Sequence, residues 1–140
     1  QPWPSRSVPV EPIRIGIRFG PRQDWFTEDS LRLLLDQTWT VTEDADRVGL
    51  RLSGERPLER SRPEELPSEP VVTGSLQVPP EGMPMVFLAD HPATGGYPVI
   101  AVAAADDLAT LGQLRPGDRL RFIDRSTDRW LPGPDERNET

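Results

Sequence analysis

Two amino acids are missing from this chain altogether. No lysine and no cysteine occur in its 140 residues, so all 16 basic side chains are arginines. Without lysine there is no Schiff-base amine, no P-loop cation and no attachment point for biotin or lipoate. Without cysteine there is no disulfide, no thiolate metal site and no thiol nucleophile, a usage that fits a reducing, cytoplasmic setting. Long apolar runs are absent too: nothing approaches the roughly 18 residues of a membrane-spanning helix, and the first residues carry no signal-peptide pattern. Positive charge is also scarce. A formal net charge of −7 argues against a protein that tracks a phosphate backbone, so neither nucleic acid nor membrane is an expected partner.

What is abundant is chain punctuation, with 17 prolines and 11 glycines. That mix predicts short strands joined by many turns, in one domain long enough to bury a core. Residues 1–12, rich in proline, read as a linker. In "IRIGIRF" the residues Ile13, Ile15, Ile17 and Phe19 alternate with Arg14, Gly16 and Arg18, the period of a half-buried strand. Thr27 is placed to cap a short helix whose first turn holds Glu28 and Asp29, with Leu31, Leu34 and Leu35 on one face. "TWTVT" (38–42) and "RVGLRL" (47–52) predict two more strands. The polar, Pro-punctuated stretch 53–70 reads as a long connection of a functional or mobile kind. "SLQV", "MPMVFLA" and "YPVIAVAA" give three further apolar runs. Asp106 is placed to cap a second helix carrying Leu108, Leu111 and Leu114, and "RPGD" turns into a last strand, "RLRFI". From Asp124 on, the sequence reads as a polar tail (124–140). Six or seven short strands with two short helices favour a mainly β, closed or nearly closed barrel spanning 13–123 over a βαβ sheet.

Residues able to carry chemistry are few. His91 lacks a nucleophile-elbow partner, and Asp90 beside it would point to the opposite face of a strand, which favours a loop-lining role. One histidine among scattered carboxylates does not make a metal site. Thr94-Gly95-Gly96 offers backbone N–H groups at a place of close approach, yet lacks the following helix and the lysine of a phosphate cradle. A tight turn with glycine at positive φ is the simpler reading. Arg47, Arg51, Arg119 and Arg121 alternate with apolar residues and so face outward; one that faced a groove could pair with a substrate carboxylate. The region 74–97 emerges as the best site candidate.

Three stretches together resemble a known family. These are "ADRVGLRLSG" (45–54), "SEPVVTGSLQVPPEGMPMVFLADHPATGGYPVIAV" (68–102) and "LGQLRPGDRLRF" (111–122). They are similar to motifs of the biotin-dependent carboxyltransferase group called allophanate hydrolase subunit 2. That group includes KipA-type proteins, the C subunit of ATP-dependent 5-oxoprolinase and part of urea carboxylase. The resemblance implies a cyclophilin-like β-barrel, here the C-terminal of two related halves. It implies work with a KipI-like partner (the B subunit of that 5-oxoprolinase) and the N-terminal half on a small cyclic or urea-like amide. ATP would act in the full complex, and biotin would be carried by another protein or domain. Carried over residue by residue, it marks Asp90 and Tyr97 as catalytic candidates and Arg47, Gln77, Pro79, Thr94, Gly95 and Gly96 as substrate-binding ones. Gln77 would offer amide donor and acceptor, Tyr97 a hydroxyl, and Asp90 an acid/base group. The chain departs from the pattern at His91, Pro92 and Ala93, where Arg-Gln-Thr is usual, and at Val48 and Leu50, where Met and Tyr are usual. Two functions follow: part of an amide-acting enzyme, 5-oxoprolinase or a related biotin-dependent urea/allophanate carboxyltransferase, or a regulatory module that binds and antagonises a KipI-like kinase inhibitor. Peptidyl-prolyl isomerase activity would rest on fold analogy alone.

Overall fold

The computed structural model describes residues 11–126. The alternating N-terminal run forms β1 (Ile13–Phe19), with Ile15 and Ile17 turned inward and fully buried. A 3₁₀ turn at Gln23–Trp25 leads into α1 (Glu28–Asp36). Thr27 caps α1 as the sequence predicts, its hydroxyl accepting the Ser30 N–H at 3.1 Å. Leu34 is buried in the core, with Leu31 and Leu35 packed against it. The chain continues through β2 (Trp39–Val41), β3 (Gly49–Ser53), β4 (Glu69–Pro70), β5 (Ser75–Gln77), β6 (Met85–Phe87), β7 (Thr94–Gly95) and β8 (Val99–Ala103). Another 3₁₀ turn and the one-turn α2 (Leu108–Leu111) then precede β9 (Arg119–Asp124).

Seven of these strands close into a barrel in the order β1-β8-β5-β6-β3-β2-β9, which bears out the mainly β barrel with two short helices. All neighbours are antiparallel except β1 and β9, which run parallel with Ile15 opposite Phe122. Side chains of period two fill the barrel: Leu50, Leu52, Leu76, Ile100, Leu120 and Phe122 are 2% exposed or less. Trp39 lies wholly inside and donates its indole N–H to the Leu34 carbonyl at 3.0 Å, so its polar tip is satisfied at the end of α1. From the other side, Arg121 reaches the Leu35 carbonyl at 2.8 Å. A cation there answers one of the orphan carbonyls in the last turn of α1.

Two expectations change. Asp106 does not cap α2; it sits inside the 3₁₀ turn, and the neighbouring Asp107 instead accepts the Gly16 N–H of β1 at 2.8 Å, fastening that turn to the barrel wall. The connection after β3 is docked along its length. Leu58 and Leu66 are buried in the core. The Thr27 N–H donates to Glu59, the Glu59 N–H to Ser30 Oγ, and the Ser61 N–H to Trp25. The "RPGD" turn forms as expected, with Gly117 at φ 93° and the Asp118 carboxylate accepting the Arg115 N–H at 2.8 Å.

Outside the barrel, β4 and β7 pair with each other as a two-stranded ribbon. A second apolar cluster of Val71, Met85, Phe87 and Val99 packs outside the main core. The ribbon and the chain flanking it cover one face of β5 and β6. The expected linker 1–12 and tail 124–140 fall mostly outside the described residues, although β9 itself runs through Asp124.

Candidate functional site

The residues singled out by sequence separate into two places at opposite ends of β6. Beyond its Phe87 end, the segments 45–48 and 88–91 are zipped together. The Leu88 N–H donates to Val48 at 2.9 Å and the Asp90 N–H to Arg47 at 3.3 Å. Asp46 sets the shape of the first segment, because its carboxylate accepts the N–H groups of Val48 and Gly49 at 2.9 and 3.2 Å. The result is a tip that presents Arg47 beside Asp90, both exposed. Among the described residues neither the Arg47 guanidinium nor the Asp90 carboxylate has a hydrogen-bond or ion-pair partner.

Both line a cleft of about 570 Å³ whose other walls are Thr73, Leu88, Ala89, Leu108, Ala109 and Gly112. Its floor is aliphatic and its rim carries one charge of each sign. Arg47 is not on a strand, as expected from alternation, but just before β3. Thr73 and α2 were not among the candidate site residues. No local motif marks them, since only the closure of the barrel brings α2 to residue 73.

At the Met85 end lies Gln77, paired in register with Met85 on β6 and Val99 on β8. Its neighbours Leu76 and Val78 point into the core, so Gln77 faces outward, yet it is 7% exposed. Gly95 of the ribbon lies directly on its amide: a Cβ there would overlap Gln77 Oε1. Gly95 and Gly96 do not have positive φ, contrary to the tight-turn reading. The glycine at 95 is required by close approach, and Thr94–Gly95 is a strand. It leads on to β8 rather than to a helix, so no phosphate cradle forms there. Thr94 and Gly96 are exposed on the outer side, as is Tyr97.

Glu69 of β4 ties the ribbon down by a two-pronged ion pair with Arg22, which is itself anchored by donating its backbone N–H to Val99 at 3.0 Å. The Glu69 hydrogen bonds raise the Arg22 pKa above its ordinary value. A raised base adds stability that is complete below its unfolded-state pKa, so this contribution is constant through the neutral range. The Arg22 and Arg62 guanidinium groups lie 5.9 and 5.7 Å from the Trp25 ring. Pro79 stands apart from both places, buried at the start of a turn where its carbonyl accepts the Gly82 N–H at 2.9 Å.

His91 packs its ring on Phe87, with centroids 5.7 Å apart, and Nδ1 lies 2.6 Å from the Pro92 carbonyl oxygen. Among the described residues no group of three or more histidine, cysteine or acidic residues could hold a metal ion. No helix of these residues is long and apolar enough to cross a membrane.

The chain is thus a closed, mainly β barrel domain with a cleft lined by one charge of each sign. Comparison with known proteins places it: the family described as carboxyltransferase domain, subdomain A and B, matches residues 2–124, and the chain belongs to that family. It is 38% identical over 113 residues to the C subunit of 5-oxoprolinase from Haemophilus influenzae, covering 79% of this chain and 36% of that one. With the same subunit of Escherichia coli the identity is 33% over 112 residues, covering 80% and 36%. The chain thus spans about a third of the length of these relatives. The crystal structure of the Kluyveromyces lactis urea carboxylase superposes with a TM-score of 0.73 at 27% identity, covering 79% of this chain and 11% of that one.

Proposed function

We propose that this domain is part of an amide-acting assembly of the 5-oxoprolinase type. In that reading the cleft between Arg47 and Asp90 receives a small cyclic amide that carries a carboxylate, such as 5-oxoproline. The observation that carries it is the placing of two exposed charges of opposite sign, without partners among the described residues, on one aliphatic cleft. A guanidinium takes a carboxylate through two parallel hydrogen bonds. The Asp90 carboxylate accepts a lactam N–H, and Leu88, Leu108 and Ala109 meet the ring methylenes. Urea has neither the carboxylate nor the methylenes, so the cleft's chemistry supports the 5-oxoproline branch over the urea branch.

The two bacterial 5-oxoprolinase relatives support the same branch. Activation of the amide by ATP, and any biotin carrier of the urea branch, belong in this proposal to partner subunits, a KipI-like protein among them. The domain's own residues bind the substrate, orient its amide and hold the N–H proton at Asp90. The test is ATP-dependent glutamate release from 5-oxoproline by the full assembly. Arg47→Ala should raise KM about 10- to 100-fold, from the loss of a charge-assisted pair worth roughly 1.5–3 kcal/mol. It should leave binding of 2-pyrrolidinone, which lacks the carboxylate, unchanged. An unaltered KM would remove Arg47 from the site. Tight partner binding without turnover in the wild type would instead support the regulatory reading.

A further inference from the structure

The connection between β3 and β4 bounds a groove of about 710 Å³ that shares no lining residue with the Arg47 cleft. Its second wall is the turn at Pro80 and Glu81. The two walls are fixed to each other, since the Leu58 N–H donates to the Gly82 carbonyl at 2.9 Å. No side chain fits at Gly82, where a Cβ would overlap the Leu58 backbone. Further along, the Glu59 N–H donates to Ser30 Oγ at 2.6 Å and the Ser61 N–H to the Trp25 carbonyl at 2.8 Å. The charges on this groove are those of Arg60, Arg62, Glu59, Glu65 and Glu81. Arg60 is half-buried. Its Nε is sealed from water without a hydrogen-bond partner, and its Nη2 lies 3.4 Å from the Val78 carbonyl. A guanidinium has five N–H donors, and a partly desolvated one this short of acceptors is costly. Arg62 has a long contact of 3.5 Å to Asp24, exposed on both sides. Among the described residues neither Arg60 nor Glu59, Glu65 or Glu81 forms an ion pair.

The groove therefore holds both signs of charge on a rigid frame, and they do not neutralise each other. A bare anion would face three carboxylates there, and a bare cation would leave Arg60 unmatched. From these features we infer that the groove is a second binding site, and that it takes a short peptide with both ends free. The peptide's terminal carboxylate accepts hydrogen bonds from the Arg60 Nη groups, in the geometry a guanidinium offers a carboxylate. Its terminal ammonium lies against Glu65 or Glu81. Because the groove's own opposite charges stay apart, a ligand that bridges them needs separated ends. A peptide of two or three residues has that separation, and a single amino acid does not. The volume falls within the roughly 300–1,000 Å³ of sites for small organic ligands. Pro63 and Pro80 stand along it as stiff apolar walls. This site stands whether or not the Arg47 cleft takes a cyclic amide acid, because the two have no residue in common.

Nuclear magnetic resonance on the full chain tests it, because the arginine Nε–H gives its own signal. Triglycine, the probe, should shift the Arg60 Nε–H signal and the backbone amides of Glu65 and Glu81 in a saturable way. The amides of Asp90 and Ala109, at the other cleft, should stay where they are. Triglycine amide lacks the carboxylate and N-acetyltriglycine lacks the ammonium. Each should bind the wild type about 10-fold more weakly than triglycine, from the loss of one charge-assisted contact. Glycine, with both charges but no span, should be at least as weak. Arg60→Gln should bring triglycine down to the affinity of its amide, and Glu65→Gln with Glu81→Gln should bring it down to that of the acetylated peptide. The blocked peptides need only the wild type, so a variant that fails to fold leaves the question answerable. Absence of a saturable shift with triglycine would overturn the site. Equal binding of triglycine and N-acetyltriglycine would overturn the peptide assignment in favour of a plain carboxylate site, and equal binding of glycine would overturn the span.

Discussion

At the scale of single residues, one contact with a matched control beside it is that between Gly95 and Gln77. Gly95→Ala puts a methyl group where Gln77 Oε1 already sits, so either the ribbon lifts or the amide turns away. Such overpacking typically costs about 1–3 kcal/mol. Gly96→Ala is the matched control: the nearest atom to its Cβ would be Ser68 Oγ at 3.9 Å, and a change within about 0.5 kcal/mol is expected. Chemical denaturation of the two variants separates them, and equal midpoints would remove the close-approach argument. The pair also shows what could not be read from the sequence. Thr-Gly-Gly-Tyr-Pro announces glycines with a purpose but not which purpose, because positive φ and close approach leave the same letters. Only the three-dimensional neighbour, Gln77, decides between them. The same limit held for Arg47: alternation put it on a strand, whereas the Asp46 carboxylate, by accepting the Val48 and Gly49 N–H groups, makes a turn there and leaves Arg47 before β3.

Elements with internal periodicity were legible, and elements defined by a distant partner were not. Ile13, Ile15 and Ile17, Leu50 and Leu52, and Leu120 and Phe122 alternate, and their strands stand where alternation puts them. The α1 cap is a local event between Thr27 and Ser30, so it too could be read. The ribbon strands β4 and β7 hold two residues each, too few to carry a period, and each exists only because of the other. The docking of 53–70 was hidden for a related reason: two isolated leucines among charges look like a solvated loop. Leu58 is 3% exposed and receives backbone support from the Gly82 carbonyl at 2.9 Å. Leu58→Ala is therefore expected to cost about 2–5 kcal/mol. Its neighbour Pro57 is exposed, and Pro57→Ala should stay within about 1 kcal/mol. Thermal unfolding of both variants is the check. A Leu58→Ala protein as stable as the wild type would mean that the connection is not part of the core.

For the molecule as a whole, the decisive contact is the one that closes the barrel. β9 is hydrogen-bonded to β1 on one side and β2 on the other, joining the two ends of the described chain. An open sheet would leave β1 and β9 as edges, able to fray without disturbing the rest. In a closed barrel no strand is an edge, and losing one stave exposes the core to water on all sides. Phe122 is the residue at which this difference can be measured, since it is 1% exposed and stands opposite Ile15 across the parallel seam. Phe122→Ala should cost about 3–5 kcal/mol, a large part of the roughly 5–15 kcal/mol that holds a domain together. The adjacent Ile123 faces outward at 39% exposure, so Ile123→Ala should change stability by no more than about 0.5 kcal/mol. Closure makes a further demand on Phe122→Ala. The far-ultraviolet signal of the strands and the near-ultraviolet signal of the buried Trp39 should be lost together in one transition, because the seam has no independent unit to release first. Two separated transitions, with the amides of β9 and β1 exchanging well before those of β5 and β6, would mean that the barrel is a curled sheet whose seam contributes little.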